Sequence, residues 1–179
     1  MISKKVYVWP KLTSGVDAAK EGLLSESADV TLFDGGFSPL FDLIAIQNAA
    51  SSLAGAFGLV FGVQIGENEY LPVADLVLFR DVVDPEGFKF KDVEKLIAFY
   101  VKTTDLFGGS GKAFQILMAL HQCEYGDARS YLDEYFYNSI GEEKASKMIE
   151  VLQRVSGIAW YYDDSDGWGY DEGMIITIS

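Results

Sequence analysis

Leu43–Gly66, LIAIQNAASSLAGAFGLVFGVQIG, carries no charged side chain and is the most apolar segment of the chain. It is either the buried element on which the rest packs or a segment that meets a membrane, and the choice settles the class of the molecule. A spanning helix needs about 20 predominantly apolar residues, and the run is long enough. Its centre is unsuited, because Gln47, Asn48, Ser51 and Ser52 would need polar partners in lipid. Asp42 precedes it and Glu67 follows it, with no Lys/Arg cluster at either end to set an orientation. Its glycines, Gly55, Gly58, Gly62 and Gly66, suit a helix that stops near Gly55 and a strand that begins at Phe57. The stretch reads as buried core.

Working outward, Ser38 as cap and Pro39 at the first helical position start the helix that runs to about Ala54. Phe57–Ile65 and Glu69–Phe79 read as antiparallel strands around the turn Gly66-Glu67-Asn68. Pro72 places the early part of the second at an edge or bulge. Upstream, Lys5–Trp9 is a strand stopped by Pro10, Val16–Leu24 a helix capped by Ser14, and Val30–Phe33 a short strand. Asp84-Pro85-Glu86-Gly87 is a strong turn signal and the candidate subdomain boundary.

The second half reads as mainly helical. Val93, Leu96, Ile97 and Tyr100 share one face of a helix starting near Lys91. After Gly108–Gly111, Phe114, Leu117, Met118 and His121 line the next, with Ser110 or Gly111 as cap. Ala128, Tyr131, Leu132, Tyr135 and Phe136 form the face of a third. Ser139 and Glu142 have capping-box spacing, followed by the stripe Ala145, Met148, Ile149, Leu152 and Val155, which ends at Gly157. Ile158–Tyr162 and Met174–Ile178 read as strands joined by the loop DDSDGWGYDEG, with the closing strand pairing into the first sheet. The expectation is a single α+β domain over residues 1–179: an antiparallel or mixed sheet from the N-terminal half and the C-terminal hairpin, packed by a helical second half.

Bulk composition agrees with a globular protein: of 179 residues, 49% are apolar, including 3 Trp, 10 Tyr and 12 Phe. The start, MISKKVYVWP, has no apolar region of the secretory kind. The single cysteine, Cys123, excludes an internal disulfide and fits a reducing compartment, so a soluble cytoplasmic protein is expected. The net charge is −13, and the acidity is concentrated late: residues 120–179 hold twelve acids against Arg129, Lys144, Lys147 and Arg154. This opposes direct nucleic-acid binding, which requires cations to neutralise phosphates, and favours a basic partner.

Catalytic motifs fail on spacing. Phe107–Lys112, FGGSGK, resembles a phosphate loop, but Leu106 stands where its first glycine belongs and Ala113 where Ser/Thr would hold magnesium. It reads as a turn. His121 and Cys123, two apart on a helix, point about 200° from each other, and they are the only His and Cys, too few for a zinc site. The acids Asp163, Asp164, Asp166, Asp171 and Glu172 miss the calcium-loop pattern, since Trp168 falls on a ligand position. No cofactor, metal or catalytic residue is expected.

The feature above background is Trp160–Glu172, WYYDDSDGWGYDE. Aromatics supply contact area at low entropy cost, and surrounding acids select a Lys/Arg-rich surface. Alternation would turn half of the aromatics into the core, but a glycine-rich loop offers no such account of Trp168 and Tyr170. The expected partner-binding residues are Tyr161, Asp163, Asp164, Asp166, Trp168, Tyr170, Asp171 and Glu172. The expected function is non-catalytic: an acidic inhibitor occupying a basic, nucleic-acid-binding type of surface on a partner protein, as immunity proteins and DNA mimics do. The likeness to antirestriction and anti-CRISPR proteins is one of composition. The alternatives are a carboxylate- or Mg/Ca-dependent enzyme using Asp163–Glu172, and a structural subunit joined through Phe57–Ile65.

Overall fold

The computed structural model describes residues 5–10, 14, 17, 25–31, 59–67, 69–86, 89–90, 93–138 and 140–176. The fold is α+β, with two antiparallel sheets, one N-terminal and one C-terminal, and five helices among the described residues. The chain forms two compact units, Met1–Tyr100 and Val101–Ser179. The division falls inside a helix, and residues 84–87, the candidate boundary, belong to the first unit.

In the first unit β1 (Lys5–Pro10), β2 (Ser25–Thr31), β3 (Leu59–Gly66) and β4 (Glu69–Pro72) form an antiparallel sheet in the order β2-β1-β3-β4. The later part of the charge-free stretch is thus strand β3, as its pattern predicts. The helices expected over Val16–Leu24 and Pro39–Ala54 lie outside the described residues. Asp17 alone is described, and its N–H donates to Ser14 Oγ at 3.1 Å, the cap expected there. Gly62 of β3 is buried against β1 and β4: a Cβ there would meet the Trp9 ring and lie 2.7 Å from the Leu71 carbonyl oxygen. Only glycine allows this approach.

The strand expected over Glu69–Phe79 is corrected. It ends at Pro72, and α1 (Val73–Val83) begins at once with Pro72 as N-cap. Proline has no N–H to extend the ladder. Beyond it Val73, Leu76, Phe79, Val82 and Val83 are buried, a three-to-four-residue spacing that only a helix can turn to one side. Asp84 caps α1 and is itself buried; its Oδ2 accepts the N–H groups of Lys89 and Phe90 at 3.1 and 3.0 Å. Phe79 packs edge-on against Tyr100, with ring centroids 5.1 Å apart, and Phe90 against Phe99 at 4.8 Å.

Helix α2 (Val93–Leu106) leads into the second unit, which holds α3 (Ser110–His121), α4 (Tyr125–Phe136), α5 (Glu142–Ser156), β5 (Ile158–Asp163) and β6 (Gly167–Ile175). The N-cap of α3 is Gly109, not Ser110 or Gly111, and its φ of 119° is one that glycine tolerates. The buried face of α3 is Ala113, Ile116, Leu117 and Leu120, with His121 exposed. Ile116, Leu117 and Leu120, expected on the apolar side, are buried, while Phe114 and Met118 are half-buried and His121 lies outside that face. Gly141, with φ 82°, caps α5, while Ser139 of the expected capping box lies outside the described residues. Gly157 ends α5 in the left-handed conformation, as expected.

The C-terminal hairpin differs most from expectation. β6 begins at Gly167, so most of the expected loop is strand, and the connection is the tight turn Asp164–Asp166. Among the described residues β6 pairs with β5 alone, and the hairpin is its own sheet rather than part of the first. It packs on α4 and α5. Among the described residues no helix is long and apolar enough to cross a membrane.

Candidate functional site

The hairpin has two unlike faces, set by strand alternation. Trp160 pairs with Tyr170 and Tyr162 with Trp168, and paired residues share a face. The aromatics of the inner face pack as tilted pairs, Trp160–Tyr170 with ring centroids 5.1 Å apart and Tyr162–Trp168 4.8 Å apart. Trp168 is only 3% exposed. Its indole N–H donates to the Phe136 carbonyl oxygen at 3.1 Å, and its backbone N–H donates to Asp133 Oδ1 at 2.9 Å. Trp160 is equally sealed, its Nε1 donating to Ser156 Oγ at 3.0 Å. Alternation therefore accounts for Trp168 and Tyr170 after all. The expectation of a surface Trp168 is overturned, and Tyr170 is half-buried against Trp160 and Tyr125.

The outer face carries Tyr161, 57% exposed, opposite Gly169. The ring lies directly on that glycine, since a Cβ there would collide with it. Asp163 follows two places along β5 on the same face, and Asp171, opposite Ala159, stands diagonally across on β6. Both are exposed. One aromatic platform thus lies among carboxylates on a surface open to solvent.

The tip is held rigidly. Asp163 Oδ1 accepts the N–H of Ser165 at 2.7 Å and also its hydroxyl. These bonds from the Ser165 hydroxyl and then its N–H, joined by the Asp166 N–H, hold the Asp163 carboxyl below its ordinary value. Tyr137, just beyond α4, donates its hydroxyl to the Ser165 carbonyl oxygen at 3.2 Å, and its own carbonyl accepts the Tyr162 hydroxyl at 2.6 Å. Burial, then the Asp164 carboxylate, raises the Tyr162 phenol above its ordinary value. Asp164 and Asp166 are exposed on the turn, and Glu172 is exposed in the irregular part of β6, where Asp171 Oδ1 accepts the Gly173 N–H at 2.9 Å.

Behind the tip is a groove of about 390 Å³ lined by Glu142, Ala145, Ser146 and Ile149 of α5 and by Tyr162, Asp163 and Asp164. In the sequence reading Glu142 figures as a cap and Ala145 and Ile149 as part of an apolar stripe, none of them as the wall of a groove. Nothing local in the sequence joins the first turns of α5 to the far end of the next element, β5. Among the described residues no three His, Cys, Asp or Glu side chains group so that they could hold a metal ion. His121 and Cys123 are both exposed. A hydrogen bond with the Cys123 thiol, then burial and the charges of Cys123 and Glu172, push the Tyr125 phenol up to about 12.

On comparison, no protein family, no characterised protein and no solved structure matches this chain.

Proposed function

We propose that the protein is a non-catalytic, acidic binding protein whose C-terminal hairpin occupies a basic surface of a partner protein, of the kind that otherwise receives nucleic acid. The single observation that carries this reading is Tyr161, exposed with its ring against Gly169 and with Asp163 and Asp171 on the same face. A Lys or Arg side chain gains from an aromatic face and from the carboxylates beside it. The bonded tip means that little ordering entropy is lost on binding. The contact set is Tyr161, Asp163, Asp164, Asp166, Asp171 and Glu172. Trp168 supports it from beneath.

An oligoarginine peptide titrated into the ¹⁵N-labelled protein tests the reading. Saturable shifts are expected at Tyr161, Asp163, Gly169 and Asp171. Tyr161→Ala should weaken binding about tenfold, above the ~1 kcal/mol that fewer than a third of interface residues exceed. Asp163→Asn should weaken it more than Asp105→Asn, an equal charge change on exposed α2. Equal losses from the two charge variants would mean that only net charge is being sensed, and the hairpin would not be the site.

A further inference from the structure

We infer that the groove behind the hairpin tip receives one arginine side chain of that partner. The inference rests on the reading of the hairpin as the surface for a basic protein, and it names the contact that reading leaves open. The groove has three kinds of wall. Buried Ala145 and half-buried Ile149 form an apolar strip, Tyr162 an aromatic side, and Glu142, Asp163 and Asp164 a carboxylate rim. None of the seven lining residues is basic. The nearest cations of α5 are engaged elsewhere, Lys147 with Glu143 at 3.4 Å and Lys144 over the Phe136 ring at 5.4 Å.

Size and charge select the occupant. The volume, about 390 Å³, is at the small end of ligand pockets, which run from about 300 to 1,000 Å³, so a side chain fits and a folded element does not. The N-terminus of α5 contributes roughly half a positive charge, which three carboxylates outweigh. Those carboxylates share the groove without grouping tightly enough for a metal ion. Several carboxylates on one rim can each be met by a donor of arginine's planar fork, whereas an ammonium is a compact, strongly hydrated point charge. The methylene stem of the arginine would lie along Ala145 and Ile149.

The test uses the intact protein with N-acetyl-arginine amide as probe and N-acetyl-lysine amide as its comparison, followed by methyl and amide NMR. Capped arginine should shift Ala145, Ser146 and Ile149 saturably at millimolar concentration, and capped lysine at least threefold more weakly. Ser146→Phe, an uncharged plug at an exposed position, should abolish those shifts while leaving the Trp168 amide in place. Glu142→Gln should weaken binding several-fold, and Tyr161→Ala should leave the groove shifts unchanged. Absence of groove shifts, or equal response to both probes, overturns the inference. If oligoarginine still maps to Tyr161 and Asp171 in that event, the hairpin reading stands without it. Groove shifts that persist while oligoarginine leaves the outer face silent would sink the hairpin reading and keep the groove.

Discussion

Asp133 Oδ1 accepts the backbone N–H of Trp168 at 2.9 Å, joining α4 to the first residues of β6 across 35 positions of sequence. The same oxygen lies 2.6 Å from where a Cβ on Gly167 would stand. A helix carboxylate therefore substitutes for the missing neighbour strand at the start of β6. With it, the indole of Trp168 is seated on the end of α4.

Removing that acceptor should loosen the tip. Asp133→Ala leaves a part-buried N–H unsatisfied, which costs about 1–3 kcal/mol. Denaturant unfolding should show that loss, and the Trp168 amide should exchange faster with solvent. Asp133→Asn keeps an acceptor oxygen and should recover most of the stability.

Gly169 should resist even the smallest side chain. Gly169→Ala places a methyl group against the exposed Tyr161 ring, which must swing off the strand, so the cost should fall below the roughly 1–3 kcal/mol of core overpacking. The double variant with Tyr161→Ala removes the obstacle. A melting temperature for the double variant no lower than that of Tyr161→Ala would show the clash to be the cause; additive losses would contradict it.

Gly62 makes the equivalent prediction for the N-terminal sheet. Gly62→Ala meets the Trp9 ring and the Leu71 carbonyl oxygen, which belongs to backbone and cannot swing away. The expected result is destabilisation by at least the roughly 1–3 kcal/mol of core overpacking, with changed near-ultraviolet dichroism from Trp9.

Asp163 should titrate below the usual aspartate value of 3.8, because Ser165 and Asp166 bond its charged form. A carboxyl depressed in the folded state supports folding fully above its unfolded pKa, and that support fades as pH falls through the folded value. Carbon-detected titration of the carboxyl measures this directly. Ser165→Ala removes the hydroxyl donor and should move the midpoint back up toward 3.8. An unchanged midpoint in that variant would show the hydroxyl to have no part in the shift.

Much of the second unit was legible in the chain because its cues are local. Ala145, Met148 and Leu152 recur at helical spacing and are buried, and Gly157 ends α5 where glycine alone is at ease. β1 and β3 followed from short β-rich runs. The readings that failed are those where two local cues compete. Val73–Phe79 is rich in β-formers, yet Pro72 withdraws its N–H from the ladder and the same residues bury as a helix. Trp168 and Tyr170 sit among glycines that suggest a loop, but Gly167 and Gly169 serve a tight turn and the bed for a ring.

By itself the amino-acid order determined the α+β class, most helix positions among the described residues and the late concentration of negative charge, because period, capping and charge need no distant partner. Tertiary structure alone decided which aromatics of the hairpin face solvent. Strand register sends Trp160, Tyr162, Trp168 and Tyr170 inward and Tyr161 outward, and a shift of one residue would exchange the two faces. That register is held by Asp133, Phe136 and Tyr137, in and just beyond α4, whose nearness no local pattern records.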